Sequence, residues 1–448
     1  MNETKLNYCV EKSFVRVVFL LGILLVPLSG FAQGFSETVI GPRGTKIIDH
    51  RPMPDPGEQA LRSKATKSAS DPPPAPLEDT FFLHSRPGAT KVIYLDFDGH
   101  TYSGGSYPAW NFEGSDSTFS DTELTVIQLS WRSISEEFRP FDVDVTTEFP
   151  GIEALKNTGG GDTEWGVRAV INHSSYDYSW AYSGSFSDST DTELYAWSGD
   201  DPSEYETWVW IAGSVSHESG HALGLSHDGG PGEEYYQCHG ADETEWCPLM
   251  GWGGYGVNQW DKGEYTDANN QQDDLDIITT QNGFGYRPDD HGSTIGTATV
   301  VDINLSSVAN GIIERTNDID YFEFTMASGG NVSLDINGDY LDSNLDILAK
   351  IHDPGGTVLF TSNPPTGLDA AFDVFLDAGD YYLSIDGTGY DDPTSDGYSD
   401  YGSLGYYSIE GIGGVGVPAL THLATALLSG VLGLLGLLGL RRLSKSSG

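Results

Sequence analysis

Apolar and polar residues follow two rhythms along this chain, and the change between them divides it. Between about Asp79 and Asp290, apolar runs alternate with a helical repeat. Lys91–Phe97 (KVIYLDF) has the pattern of a buried strand, Phe141–Glu148 (FDVDVTTE) alternates as one, and Val167–Asn172 (VRAVIN) is a third. Ala181–Phe186 and Leu194–Trp197 are shorter strand segments. Thr122–Phe138 sets Leu124, Ile127, Trp131, Ile134 and Phe138 on one face of a helix. Strands alternating with helices predict an α/β sheet covered on both faces.

Past Asp290 the rhythm shortens to period two, in segments separated by Gly, Asp and Asn. Tyr321–Thr325, Val332–Ile336, Leu345–Ile351, Val358–Thr361 and Tyr381–Ile385 predict a β-sandwich of about 120 residues. RPDDHG at residues 287–292 marks the boundary, giving units 79–290 and 291–413. Residues 33–78 have little periodicity and carry Asp71-Pro72-Pro73-Pro74, the composition of a linker or pro-segment.

The two ends have patterns of their own. Lys5, Lys12 and Arg16 precede the apolar run Val17–Leu28, and Gly30 and Ala32 supply the small residues of a cleavage site. Residues 1–32 therefore predict a secretory signal peptide. At the other end, Val417–Leu440 is almost wholly apolar and is followed by Arg441, Arg442 and Lys445, which predicts a transmembrane helix with a cytoplasmic tail. With Gly413-Gly414 and Val417-Pro418-Ala419-Leu420, residues 414–448 resemble the sorting tails that a membrane-embedded enzyme processes on exported bacterial proteins; a plain single-pass anchor has the same pattern. The expected location is outside a bacterial cell, secreted or tethered to its surface.

Charge and cysteine content narrow the function. The 448 residues carry a formal net charge of −44, which argues against nucleic-acid binding. Of three cysteines, Cys9 leaves with the signal. Cys238 and Cys247 then read as one local disulfide in an oxidising compartment, with two free buried thiols as the alternative.

The chemistry concentrates in HESGHALGLSHDG, His217–Gly229. Helical residues at i and i+4 project from one face, so His217 and His221 reach one zinc ion. Glu218 stands beside the first ligand as a proton acceptor for water. Gly224 sits where the helix must end in a turn that brings His227 back as third ligand. Three histidines leave a coordination position open, as catalytic zinc sites do.

His217-Glu218-Ser219-Gly220-His221-Ala222-Leu223-Gly224-Leu225-Ser226-His227-Asp228 resembles the metzincin zinc endopeptidases, and Asp228 resembles their reprolysin (adamalysin) branch. The resemblance implies a mixed twisted sheet with helices and zinc in a cleft, and hydrolysis of peptide bonds in extracellular proteins. It implies His217, His221 and His227 as ligands, Glu218 as general base, and Gly224 and Asp228 as structural supports. Met250, in Cys247-Pro248-Leu249-Met250-Gly251, matches the methionine turn beneath the metal, and the Cys238–Cys247 disulfide would clamp the loop entering it. Some branches use a Tyr two residues after this Met as an extra ligand; Trp252 stands there, so that role does not carry over, and Tyr255 is a weak substitute. The resemblance also implies an antiparallel edge strand pairing with an extended substrate, with Ala181–Phe186 as candidate. Residues 33–78 would block the cleft until export, without a thiolate, since they contain no cysteine.

The C-terminal unit resembles the bacterial pre-peptidase C-terminal domain through Asp318-Ile319-Asp320-Tyr321-Phe322-Glu323-Phe324 and Ala378-Gly379-Asp380-Tyr381-Tyr382-Leu383. Its turns Asp339–Asp346 and Asp391–Asp400 have the composition of Ca²⁺-binding loops, although turn-forming Asp is the commoner explanation of such a pattern. Two other functions compete with the zinc endopeptidase. VIYLDFDGHT, with Asp96 and Asp98, resembles a haloacid-dehalogenase phosphatase signature, but His100 replaces its usual Thr and the region is poor in Lys. A surface adhesion protein keeping zinc without catalysis is the second, and Glu218 argues against it.

Overall fold

In the computed structural model of the chain, the described residues are 34–50 and 73–411, apart from 103, 113–117, 174, 200–203 and 254–255. The segments 1–32 and 414–448, expected as signal peptide and sorting or anchor tail, lie outside them. Among the described residues no helix is long and apolar enough to cross a membrane. The molecule is rich in β-structure, with few helices.

In chain order the first part contains β1 (Phe35–Gly41), β2 (Gly44–His50), β3 (Lys91–Asp96), a small hairpin β4 (His100–Tyr102) and β5 (Gly105–Tyr107), then β6 (Asp144–Thr146), β7 (Trp165–Asn172), β8 (Ser179–Tyr182) and β9 (Glu193–Trp197). Its helices are α1 (Asp121–Glu137), α2 (Glu204–Ala222) and α3 (Asp274–Gln281). Seven strands form one mixed sheet in the order β1-β2-β8-β9-β7-β3-β6. β9, β7, β3 and β6 run parallel, while β8, β2 and β1 add antiparallel along one side. Every residue of β3 is buried, in keeping with the continuous apolar run Val92–Leu95 at its centre. On one face Leu95, Val167, Ala169, Ala181 and Leu194 pack with Val126, Ile211 and Val215 of the helices. On the other face Val170, Trp180, Tyr195 and Trp197 pack with Tyr107 of the small hairpin.

Three expectations change. The strand expected at Ala181–Phe186 starts earlier and ends at Tyr182, because Gly184 (φ +71°) turns the chain into a short 3-10 segment. The strand expected over Phe141–Glu148 pairs only through Asp144–Thr146, because the flanking Asp142 and Thr147 amides bond to Gly285 and Leu83 carbonyls instead. Residues 35–50, assigned to a linker or pro-segment, form a hairpin closed around Pro42-Arg43, with Gly41 opposite Gly44, that extends the main sheet beyond β8.

α1 begins with a capping box between Ser120 and Glu123. Its polar residues Ser130, Ser133, Glu136 and Glu137 are buried too, because a second layer covers them. That layer is the sandwich: β12 (Thr299–Val300), β13 (Ala309–Ile313), β14 (Ile319–Met326), β15 (Gly330–Gly338), β16 (Ile347–His352), β17 (Val358–Ser362), β18 (Ala370–Leu376), β19 (Gly379–Gly387) and β20 (Gly405–Gly411). Its sheets run β12-β14-β19-β16-β17 and β13-β20-β15-β18. It grips α1 through Arg132–Asp339 at 2.7 Å, Asn344 Nδ2 to Glu137 at 2.6 Å and the Tyr406 amide to Glu136 at 2.8 Å.

Candidate metal centre

α2 is closed by the turn on which the centre depends. The Gly224 amide bonds to the His221 carbonyl at 3.0 Å and the Leu225 amide to that of Gly220 at 2.9 Å, with Gly224 at φ +102°. This paired geometry needs the left-handed region, which Gly enters without steric cost. The reversal brings His227 against the helix. His221 Nε2 and His227 Nε2 stand 2.9 Å apart, and the His217 ring centroid lies 4.9 Å from that of His221 and 5.2 Å from that of His227.

The other ring nitrogens fix the tautomers. His217 Nδ1 meets the Leu249 carbonyl at 2.8 Å, His221 Nδ1 the Leu225 carbonyl at 2.9 Å, and His227 Nδ1 the Glu234 carboxylate at 2.8 Å. Those oxygens only accept, so each Nδ1 carries a hydrogen and donates it. In neutral rings that turns the Nε2 lone pairs toward a common point, the arrangement that outer hydrogen bonds impose on metal-ligating histidines.

A fourth group meets them there. Asp49, at the end of β2, places Oδ1 3.0 Å from His227 Nε2, and Oδ2 3.3 Å from His221 Nε2 and 3.6 Å from His217 Nε2. The Tyr235 hydroxyl donates to Asp49 Oδ1 at 2.8 Å. Asp49, His217 and His221 are fully buried. Burial alone would raise the Asp49 pKa, but the hydrogen bonds and charge of His221 and His227 hold it well below the usual range. Burial also opposes a charge on His227, yet hydrogen bonds to Asp49 and Glu234 raise it to about 9. At His221 burial wins and the pKa falls. Imidazole nitrogens and a buried carboxylate facing one another repel unless a positive charge lies among them. A proton on His227 supplies one; a zinc ion suits the same donor set, which is nitrogen-rich and lies within one 4.8 Å cluster.

The segment beneath the histidines is tied to them by backbone. The Leu249 carbonyl takes the His217 ring, the Met250 carbonyl accepts the Asp228 amide at 2.9 Å, and the Gly251 amide closes the turn on Pro248 at 2.9 Å. Met250 is fully buried under α2, and a Cβ on Gly220 would stand 2.3 Å from its sulfur. Cys238 and Cys247 are bonded, with Cα atoms 4.6 Å apart. Cys247 lies in β10 (Trp246–Pro248), which pairs with β11 (Val257–Gln259) and leads into the turn. The Asp228 carboxyl accepts from Asn270 at 3.0 Å; its burial and the neighbouring Asp261 raise its pKa to about 8. Glu218 is buried in α2 next to His217. Trp252 packs on Tyr235, and Tyr255 lies outside the described residues.

Asp49, Gly220, Glu234 and Tyr235 escaped the sequence reading. A weak signal for Asp49 was present: IIDH ends an alternating segment that follows a Gly-Pro-Arg-Gly turn.

The remaining candidates separate. Asp96 pairs with Arg168 at 2.5 Å, and Arg168 also holds Asp191 at 2.8 Å, while Asp98 is exposed. Burial, opposed by Arg168, raises the Asp96 pKa to about 7. This is a sheet-end ion pair. In the Asp-rich turns, Asp339 takes Arg132, Asp342 takes Ser133 Oγ at 2.5 Å, Asp346 takes the Tyr398 hydroxyl at 2.9 Å, and Asp392 caps the Thr394 amide at 2.9 Å. Those carboxylates serve as hydrogen-bond acceptors and charge partners. The carboxylate cluster of the sandwich lies elsewhere, where Asp289, Glu314 and Asp318 offer oxygens within 4.8 Å of one another.

No protein-family profile and no curated protein matches this chain. Among solved structures, it is similar to the pre-peptidase C-terminal domain of a collagenase from Bacillus anthracis, at 16% identity, over 28% of this chain and 96% of that one, with a TM-score of 0.19.

Proposed function

We propose that the chain is an exported zinc endopeptidase of metzincin type, with its catalytic unit in residues 79–290. The observation that carries this reading is the wiring of His217, His221 and His227, each held by an acceptor at Nδ1 with Nε2 turned inward. The Met250 turn beneath them and Gly224 at the helix end support it, because both act directly on the ligands' positions. The bonded cysteines support an extracytoplasmic location, where disulfides persist.

Zinc bound there supplies a Lewis acid that activates water and polarises the scissile carbonyl. His217, His221 and His227 would hold it. The Glu218 carboxylate would take the proton of the attacking water and deliver it to the leaving nitrogen. The substrate, an extended stretch of an extracellular protein, would lie along β8. Membrane attachment through Val417–Leu440 and removal of the tail by a processing enzyme belong to the same reading.

A surface binding protein that keeps zinc without catalysis is favoured by one observation: Asp49 makes a closed set of four ligands, as structural zinc sites have. Metal analysis decides between them when combined with casein cleavage, with and without chelator, by the exported chain and by a form lacking residues 33–50. Chelator-sensitive cleavage lost in Glu218→Ala supports the endopeptidase. Zinc retained with no cleavage by either form supports the binding protein.

A further inference from the structure

Residues 257–275 follow the Met250 turn and are shared between two neighbours. On one side they are bonded to the chain that carries the histidines. The Gln259 carbonyl accepts the Leu249 amide at 2.9 Å, and the Leu249 carbonyl in turn holds the His217 ring. Around His227, the Gln272 side chain accepts the Ser226 amide at 2.7 Å, Asn270 donates to the Asp228 carboxyl at 3.0 Å, and Asn269 accepts the Gly229 amide at 3.0 Å. The Tyr265 hydroxyl donates to the Gly229 carbonyl at 2.9 Å. Beyond α3, into which these residues lead, Asn282 donates to the Leu223 carbonyl at 3.1 Å, beside the turn at Gly224.

On the other side they are held by the sandwich, chiefly by the connection between β19 and β20. The Tyr401 hydroxyl donates to Asp273 Oδ1 at 2.7 Å and accepts the Leu275 amide at 2.9 Å. Asp273 is the capping residue of α3, so Tyr401 completes the start of that helix from the other unit. Ser399 donates to Glu264, Thr266 donates to the Thr394 carbonyl, and Gln259 Nε2 donates to the Asn344 carbonyl at 2.7 Å. A Cβ on Gly402 would stand 2.7 Å from the Trp260 carbonyl oxygen and from the Gln259 Cβ. The same connection reaches the disulfide loop, where the Gly397 carbonyl meets His239 Nε2 at 2.6 Å. The regular structure of residues 257–275 is limited to β11 and the start of α3, so their place is set by these neighbours.

We propose that the sandwich is a fixed part of the metal centre: the connection between β19 and β20 holds residues 257–275 against the ligand-bearing chain, and Tyr401 is a positioning residue that acts through them. This rests on the metal-binding part of the reading above, not on catalysis. The shortest route runs from Asn344 through the Gln259 side chain and main chain to Leu249 and the His217 ring. Outer hydrogen bonds of this kind set ligand orientation, so metal affinity and geometry depend here on residues that touch no ligand.

The test loads the full chain with cobalt, whose visible absorption reports the arrangement of its ligands. Affinity and spectrum are measured in wild type, in Tyr401→Phe and in the double variant Thr266→Val/Ser399→Ala. Ile336→Val, in the core of the sandwich and outside the connection between β19 and β20, is the control, because its loss of stability is similar to that of a removed hydrogen bond. The expected result is cobalt binding at least fivefold weaker in Tyr401→Phe and in the double variant, with an altered spectrum in both, and wild-type affinity and spectrum in Ile336→Val. Wild-type behaviour of the two clasp variants overturns the proposal. Equal weakening in Ile336→Val overturns it as well, since the effect would then be one of general stability. If Tyr401→Phe does not fold, the double variant, which removes two hydroxyls that are not buried, carries the comparison alone. Weakened cobalt binding in the variants of a chain whose zinc form cuts no protein supports the proposal and overturns the endopeptidase reading instead. No cobalt bound by wild type overturns both.

Discussion

Gly220 fixes how closely the turn at Met250 approaches α2. A Cβ at this position would stand 2.3 Å from the Met250 sulfur, one residue before His221. Gly220→Ala should therefore destabilise the chain by about 1–3 kcal/mol, the usual result of overpacking, and weaken zinc binding. Met250→Ala in the same chain should relieve the clash, making the double variant less damaged than the sum of the single ones; denaturant unfolding of all three measures this. Glu218→Ala makes the contrasting case. It should keep zinc and melting temperature but lose at least about 10²-fold in turnover, as removal of a general base does; loss of the metal would contradict the assigned role. Most of this residue-scale geometry was legible in the sequence, because His217, Glu218, His221, Gly224 and His227 lie within a helix and the turn that ends it. Asp49 was not legible. It reaches the same point from the far end of another strand, and excluding a thiolate from its segment said nothing about a carboxylate.

Among the elements, α1 and the β1–β2 hairpin show where pattern reading falls short. The apolar positions of α1 mark the side against the sheet, and α1 forms over almost the residues expected. Its other side is buried by the sandwich through ion pairs and hydrogen bonds, which leave no hydrophobic periodicity to detect. The hairpin hides for a different reason. β1 is the outermost strand, with Val39 and Ile40 exposed, so its composition does not separate it from a linker. What holds the hairpin is β2 and its charges. Glu193 is buried but its partner Arg43 is largely solvent-exposed, so their pair is worth about 1 kcal/mol. Glu193→Gln should consequently destabilise the chain by about 1 kcal/mol in denaturant unfolding, in line with that energy. An unchanged unfolding midpoint would show that the pair contributes nothing to the hold on the hairpin.

At the scale of the whole molecule, the sandwich introduces an electrostatic dependence separate from the metal centre. Glu314 is buried, and burial together with a hydrogen bond to Asp318 and the charges of Asp290, Asp318 and Asp320 raises its pKa from 4.5 to about 10. The folded chain thus holds this proton more tightly than the unfolded chain. Stability must then fall as pH rises above the unfolded value of 4.5, and continue falling until about 10 is passed. Glu314→Gln keeps the shape and cannot ionise. In chelator, its thermal midpoint should exceed that of wild type at pH 8 and converge with it near the unfolded pKa, because only wild type carries the penalty of a raised carboxyl. A divalent cation at Asp289, Glu314 and Asp318 reverses the sign, since it favours the ionised carboxylate. Calcium would then raise the wild-type midpoint and leave Glu314→Gln unmoved. Thermal unfolding of both proteins across this pH range, in chelator and in calcium, therefore separates a protonated buried carboxyl from a cation site. A wild-type midpoint equal to that of the variant at pH 8, in both media, would show that Glu314 is neither.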